Sequence, residues 1–169
     1  YELYKDSVEH SDNNESENVL DKWIIARLHQ LHNEVTGAME NYELDKATRG
    51  FDDFVDDLST WYLRRSRDRF KDEDESDKKA ALETTRFVLR KFAKLLAPFA
   101  PFHAEWLWAR VKRDEASSAD AESVHLTNWC SQKEVDEGIL IEMSDVRKLI
   151  TKALDARKEV GFNVRQPLA

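Results

Sequence analysis

The chain has 169 residues, 41% of them apolar and 36% charged, with a formal charge of −8 at pH 7. That length supports one domain with a sizeable core, burying roughly 70% of its unfolded surface, and the acidity excludes nucleic-acid binding through net charge alone. Four glycines, three prolines and a single cysteine favour long helices over a turn-rich β fold and exclude an internal disulfide or a multi-cysteine zinc site.

In chain order, residues 1–19 are rich in Asp and Glu and read as an acidic linker or the end of a preceding domain. Ile24, Leu28, Leu31, Val35, Ala38 and Tyr42 then step by three and four, predicting a first helix of about five turns with Asp21 near its start as a cap. Leu44, Ala47, Phe51, Phe54, Val55, Leu58 and Tyr62 repeat the pattern over a second helix from about Asp45 to Phe70. The short connection makes the two antiparallel neighbours. The run Asp72–Asp77 is too acidic to pack and reads as a solvated loop, followed by a third helix carrying Ala81, Thr85, Val88, Phe92 and Leu95. Pro98 and Pro101 separate it from a fourth, with Phe102, Trp106 and Ala109 expected inward. A small-residue surface loop (116–122) precedes Ser123–Trp129, expected to lie extended across the bundle. A fifth helix carries Ile139, Met143, Val146, Ile150, Ala153 and Leu154 and ends near Gly161. The prediction is an all-α antiparallel bundle of four to five helices over residues 20–160, with 161–169 starting a further region. The chain opens on Tyr1 rather than Met and is expected to be a piece of something longer. With no run of about 18 apolar residues and no charged-then-apolar leader, a cytoplasmic protein without a membrane span is expected.

The chemically pointed stretch is the end of the second helix. Residues 61–71 carry Arg64, Arg65, Arg67, Arg69 and Lys71 against Asp68, a net charge of +4 on an acidic background, interleaved with Trp61, Tyr62 and Phe70. Continuing the helical wheel, Arg65 and Arg69 follow the apolar line of Leu58 and Tyr62, whereas Arg64 and Arg67 point away from it. Guanidinium forks suit phosphate and stack on bases, and aromatic rings offer platforms for unstacked bases. Equally, cations at a helix C-terminus complement its dipole, and the acidic loop 72–77 could pair with them. Both readings stand on the residues alone.

Elsewhere the ordinary explanations hold. His29 and His32 read as a polar helix flank rather than a metal site, Asp52, Asp53, Asp56 and Asp57 as a solvated face rather than an acid–base pair, and Cys130 as a packing residue. The scattered glycines form no phosphate-cradling loop. No metal, no cofactor and no catalytic residue is expected.

Four separated segments resemble one family in register. Leu20–Leu28 (LDKWIIARL), Asp57–Phe70 (DLSTWYLRRSRDRF), Leu95–Phe102 (LLAPFAPF) and Ser123–Trp129 (SVHLTNW) are similar to the anticodon-binding helical domain of class Ia aminoacyl-tRNA synthetases, most closely the isoleucyl enzymes, with the valyl enzymes as the alternative. The terminal Val164–Leu168 resembles the junction that follows this domain in isoleucyl enzymes. The resemblance implies a non-catalytic module that holds the anticodon stem-loop of tRNA(Ile), monomeric, alongside catalytic and C-terminal domains of a parent ligase. The family's HIGH and KMSKS signatures are absent, so ATP and magnesium would belong to the parent, and zinc to a C-terminal region beyond Ala169. By the same resemblance, Trp61, Arg64, Arg65, Arg67, Arg69 and Phe70 contact the anticodon arm, Arg64 and Arg67 through phosphates and Phe70 or Arg69 at bases; Lys22, Trp23 and Arg27 are secondary candidates. A different class of function, a helical scaffold for protein partners, predicts dependence on apolar anchors rather than on arginines.

Overall fold

The computed structural model describes residues 16–112, 121–163 and 166. The acidic segment up to residue 15, most of the 116–122 loop and most of the terminal junction lie outside them. The chain divides into two compact units, one through Val135 and one from Asp136 onward. The described residues carry five α-helices and no strand, bearing out the all-α reading.

In the first unit α1 (Val19–Glu40) and α2 (Leu44–Asp56) are antiparallel neighbours. Asn18, not Asp21, caps α1, its side chain accepting from the Leu20 amide at 2.9 Å. The helix closes on a left-handed Tyr42 (φ 59°), with the Glu43 amide donating to the Ala38 carbonyl and the Tyr42 amide to that of Met39. This paired closure satisfies the last free carbonyls. It also swings Tyr42 off the apolar stripe, leaving it 92% exposed where the periodicity places it inward.

The second helix does not run regularly to Phe70. After Asp56 it widens into a π-turn, Asp57–Leu63, then a short α-turn and a 3₁₀ turn, Arg69–Lys71. Helix α3 (Glu75–Leu96) starts inside the acidic run, where the Asp74 carboxylate accepts from the Ser76 and Asp77 amides. Asp74→Ala should therefore cost about 1 kcal/mol, read as a lower midpoint in urea; an unchanged midpoint would show the cap to be idle.

The core forms where α1, α2 and α3 meet. Ile24, Leu28, Leu31 and Val35 face Phe54, Leu58, Leu82, Val88 and Leu95. Phe54 stacks on Phe92 at 5.3 Å between centroids, and Phe51 meets Phe92 and Phe99 edge-on, arrangements that add to the area term for buried aromatics. The prolines act as predicted: α3 ends at Leu96 and Pro101 opens α4 (Pro101–Val111). The inward face of α4 is the other one, however. Ala104, Trp108 and Val111 are buried, whereas Phe102, Trp106 and Ala109 are exposed. Trp108 packs with Ala93, Ala97 and Val124 and donates its indole N–H to the Ala121 carbonyl at 3.0 Å.

The segment after residue 121 crosses the bundle as predicted, but through a 3₁₀ turn at Val124–Leu126 instead of a plain extended run. Glu105 of α4 accepts from the Ser123 hydroxyl and the Val124 amide; farther on, Trp129 donates to Thr36 Oγ1 and Asn33 donates to the Lys133 carbonyl, both on α1. The second unit is α5 (Glu137–Glu159), capped by Asp136 and closed by Gly161 at φ 75°, a backbone position that favours glycine.

Candidate nucleic-acid interface

The arginine-rich end of the second helix rests on buried polar groups. Asp21 lies one step before Ile24 and Leu28 on the same stripe of α1 and has no exposed surface. Its carboxylate accepts from Arg69 Nη1 and Nη2 at 2.8 and 2.9 Å, from the Ser16 hydroxyl at 2.6 Å and from the Tyr62 hydroxyl at 2.8 Å. The other edge of the Arg69 fork reaches Asp77 of α3 through Nε at 2.8 Å and Nη2 at 2.6 Å. One planar guanidinium thus joins α1 to the start of α3, the bidentate geometry for which arginine is suited.

These groups titrate as their surroundings dictate. Burial opposes the charge of Arg69, but hydrogen bonds and attraction from Asp21 and Asp77 outweigh it and hold the guanidinium protonated above its ordinary range. Burial, then the Asp21 charge, pushes the Tyr62 hydroxyl up, so it remains a donor. The Arg69 hydrogen bond holds Asp77 below the usual carboxylate range. A depressed carboxylate contributes stability above its unfolded pKa, about 3.9, and loses it as pH falls through the lower folded value. Asp77→Asn should therefore flatten the fall of the melting temperature below about pH 4; identical acid profiles for variant and parent would contradict the linkage.

A second tie lies one turn earlier. Arg27 Nε donates to Asp57 at 2.8 Å, with both side chains largely buried, and Arg27 also bonds Gln30. Asp57, unlike Asp52, Asp53 and Asp56, thus leaves the solvated face expected for it, because Arg27 neutralises it. Asp57 opens the π-turn and Tyr62 lies near its end, so α1 grips the widened segment at both. An i→i+5 turn inserts an extra residue relative to an α-turn. The position facing inward after Tyr62 is therefore Ser66, which is fully buried, and not Arg65.

That shift decides where each candidate stands. Arg64, Arg65 and Arg67 are all exposed, as is Lys71. Arg65 lies over the half-buried Trp61 ring at 3.7 Å from its centroid, a cation–π contact that presents a flat guanidinium outward. Phe70 is half-buried. Arg69 belongs beneath the surface: its side chain is 11% exposed and committed to two carboxylates. Trp23 is a core residue at 2% exposure and Arg27 is spent on Asp57, so the secondary candidates on α1 reduce to Lys22, exposed and paired with Glu17 at 2.6 Å. The acidic run does pair with an arginine, Arg69, through Asp77. Sequence reasoning missed Asp21 and Tyr62 as the support. The available signal was a carboxylate standing on the line of an apolar stripe.

Fold and patch together define an all-helical module with a cationic, aromatic-backed end. Residues 21–169 match the family described as the anticodon-binding domain of tRNA ligase, and the chain belongs to that family. It is 37% identical over 169 residues to an isoleucine–tRNA ligase of Clostridium tetani, covering 98% of this chain and 16% of the relative. It is 39% identical over 172 residues to that of Chlamydia trachomatis serovar D, with 99% and 16% covered. The ligase of Thermus thermophilus is 41% identical over 153 residues, covering 88% of this chain and 15% of the relative. The chain thus spans about one sixth of the length of these curated relatives. No helix among the described residues is long and apolar enough to cross a membrane, and no group of three or more His, Cys, Asp or Glu among them is placed to hold a metal.

Proposed function

We propose that this chain holds the anticodon arm of tRNA(Ile) and positions it for aminoacylation by the catalytic region of an isoleucine–tRNA ligase of which it is a part. The observation that carries the reading is the exposed trio Arg64, Arg65 and Arg67 on a helix end anchored from below by Asp21, Arg69 and Asp77. A buried anchor takes one arginine out of the surface and gives the remaining three a rigid base, reducing the ordering cost of docking a charged strand. Arg64 and Arg67 take phosphates, while the Arg65 plane stacked on Trp61, together with Phe70, offers a surface for splayed bases. Trp23, Arg27 and Arg69 act by holding this geometry. The isoleucine specificity rests on the names of the curated relatives together with the resemblance of the four sequence segments.

The test is binding of the chain to an isoleucine-tRNA anticodon stem-loop at two salt concentrations, with a valine-tRNA stem-loop as comparator. Salt-sensitive binding that favours the isoleucine loop is the expected result. Salt-sensitive but indifferent binding would move base discrimination out of this chain, and absence of binding would remove the docking role itself.

A further inference from the structure

Away from the arginine end, α1, α3 and the 130–133 segment enclose a cleft of about 370 Å³, within the size range of small-molecule sites. Its floor is apolar, built from Leu28, Phe87 and Leu95, and its walls carry His29, His32, Lys91 and Lys133. Among the described residues no carboxylate side chain lines it, although Asp and Glu outnumber Lys and Arg 34 to 26 in the chain. The Lys91 ammonium is located inside the cleft by two contacts with its lining, 3.7 Å from Cys130 Sγ and 5.6 Å from the Phe87 ring centroid. His32 is 5% exposed; its Nδ1 lies 3.4 Å from Asn33 Oδ1, and its Nε2 is buried with no hydrogen-bond partner among the described residues. A buried, unsatisfied ring nitrogen has a cost that a ligand acceptor or donor would remove.

We propose that this cleft binds a small organic phosphate monoester, its dianionic head held among Lys91, Lys133, His29 and His32 and its apolar body laid on Leu28, Phe87 and Leu95. Two ammonium groups and two imidazoles match a doubly charged, multi-acceptor head better than a single carboxylate. The charge field agrees: burial, and after it the nearby Lys133, His32 and Lys91, hold the His29 pKa below the usual histidine range, while a hydrogen bond with the Glu134 backbone acts the other way. Lys133 and Lys91 are thus near enough to bear on the ring, and a bound dianion would oppose their charge. The site is separate from the arginine end and does not depend on the anticodon-arm reading.

Cys130 is the only cysteine of the chain and sits at the rim, half-buried, so its alkylation reports occupancy. The rate of modification by neutral iodoacetamide would be followed by mass spectrometry with phenyl phosphate, inorganic phosphate or sodium chloride at matched ionic strength. Phenyl phosphate should slow the reaction saturably, about tenfold at ten times its dissociation constant, with inorganic phosphate needing a higher concentration and chloride without effect. Lys91→Met and Lys133→Met should each weaken the protection, compared within each variant because loss of Lys91 also alters the thiol's surroundings. Should a variant fail to fold, phosphorus NMR line broadening of phenyl phosphate on the unsubstituted protein reads the same binding. Protection equal to that by chloride, protection retained in both lysine variants, or unbroadened lines would overturn the proposal.

Discussion

Asp21→Ala is expected to lower the unfolding free energy by about 3–5 kcal/mol. Asp21 is fully buried and accepts from Arg69, Tyr62 and Ser16. Its loss leaves the Arg69 guanidinium with Asp77 alone, a carboxylate that is 36% exposed and so neutralises less well. The Tyr62 hydroxyl loses its carboxylate acceptor and is left with the Ala81 carbonyl at 3.2 Å and Thr85. The penalty is dominated by an under-compensated buried cation and not by the intrinsic strength of the pair, so removing both partners should be milder than the sum of the single losses. Urea unfolding of Asp21→Ala, Arg69→Met and the double variant measures this. A loss below 1 kcal/mol for Asp21→Ala would place the pair with ordinary surface ion pairs and undo the anchor.

Replacing Arg64 and Arg67 together by Ala should leave helicity and melting unchanged, because both side chains are exposed and stand in no ion pair among the described residues. Stem-loop affinity should nevertheless fall by about 10- to 100-fold at low salt, with the log–log salt slope shallower by roughly 1.5–2, the signature of two lost phosphate contacts. Arg69→Met should differ in kind, lowering stability and affinity together, since it removes the support and not the contact. Retained affinity and slope in the Arg64/Arg67 variant would put the docking surface elsewhere. Circular dichroism alongside fluorescence anisotropy separates the two behaviours.

Much of the architecture follows from local pattern. Apolar residues three and four apart locate α1, α2 and α3, and two prolines separate α3 from α4, because helix geometry and the missing proline N–H act within a few residues. Phase was harder. On α4, Trp106 and Trp108 are two residues apart and therefore face nearly opposite sides of a helix. Choosing between them needs the path of α3 and the 121–124 segment, which place Trp108 inward and leave Trp106 under Arg110 at 3.6 Å. The arginine end shows the same division. That these arginines and aromatics form a cationic island was legible in residues 57–70. That the chain belongs with anticodon-binding domains was legible in four segments taken together, Leu20–Leu28, Asp57–Phe70, Leu95–Phe102 and Ser123–Trp129.

By itself the sequence determined the helical class, the element order and the presence of a cationic, aromatic helix end, all properties of neighbouring residues and their spacing. The helical wheel already turned Arg64 and Arg67 outward and Arg69 inward; only the tertiary structure decided that Arg65 faces outward and what holds Arg69 beneath the surface. Asp21 and Asp77, 48 and 8 residues from Arg69, draw it inward, and the π-turn held by Arg27–Asp57 and Asp21–Tyr62 rotates Arg65 out. Those are long-range electrostatic and packing choices, invisible to a helical wheel that assumes one unbroken α-turn.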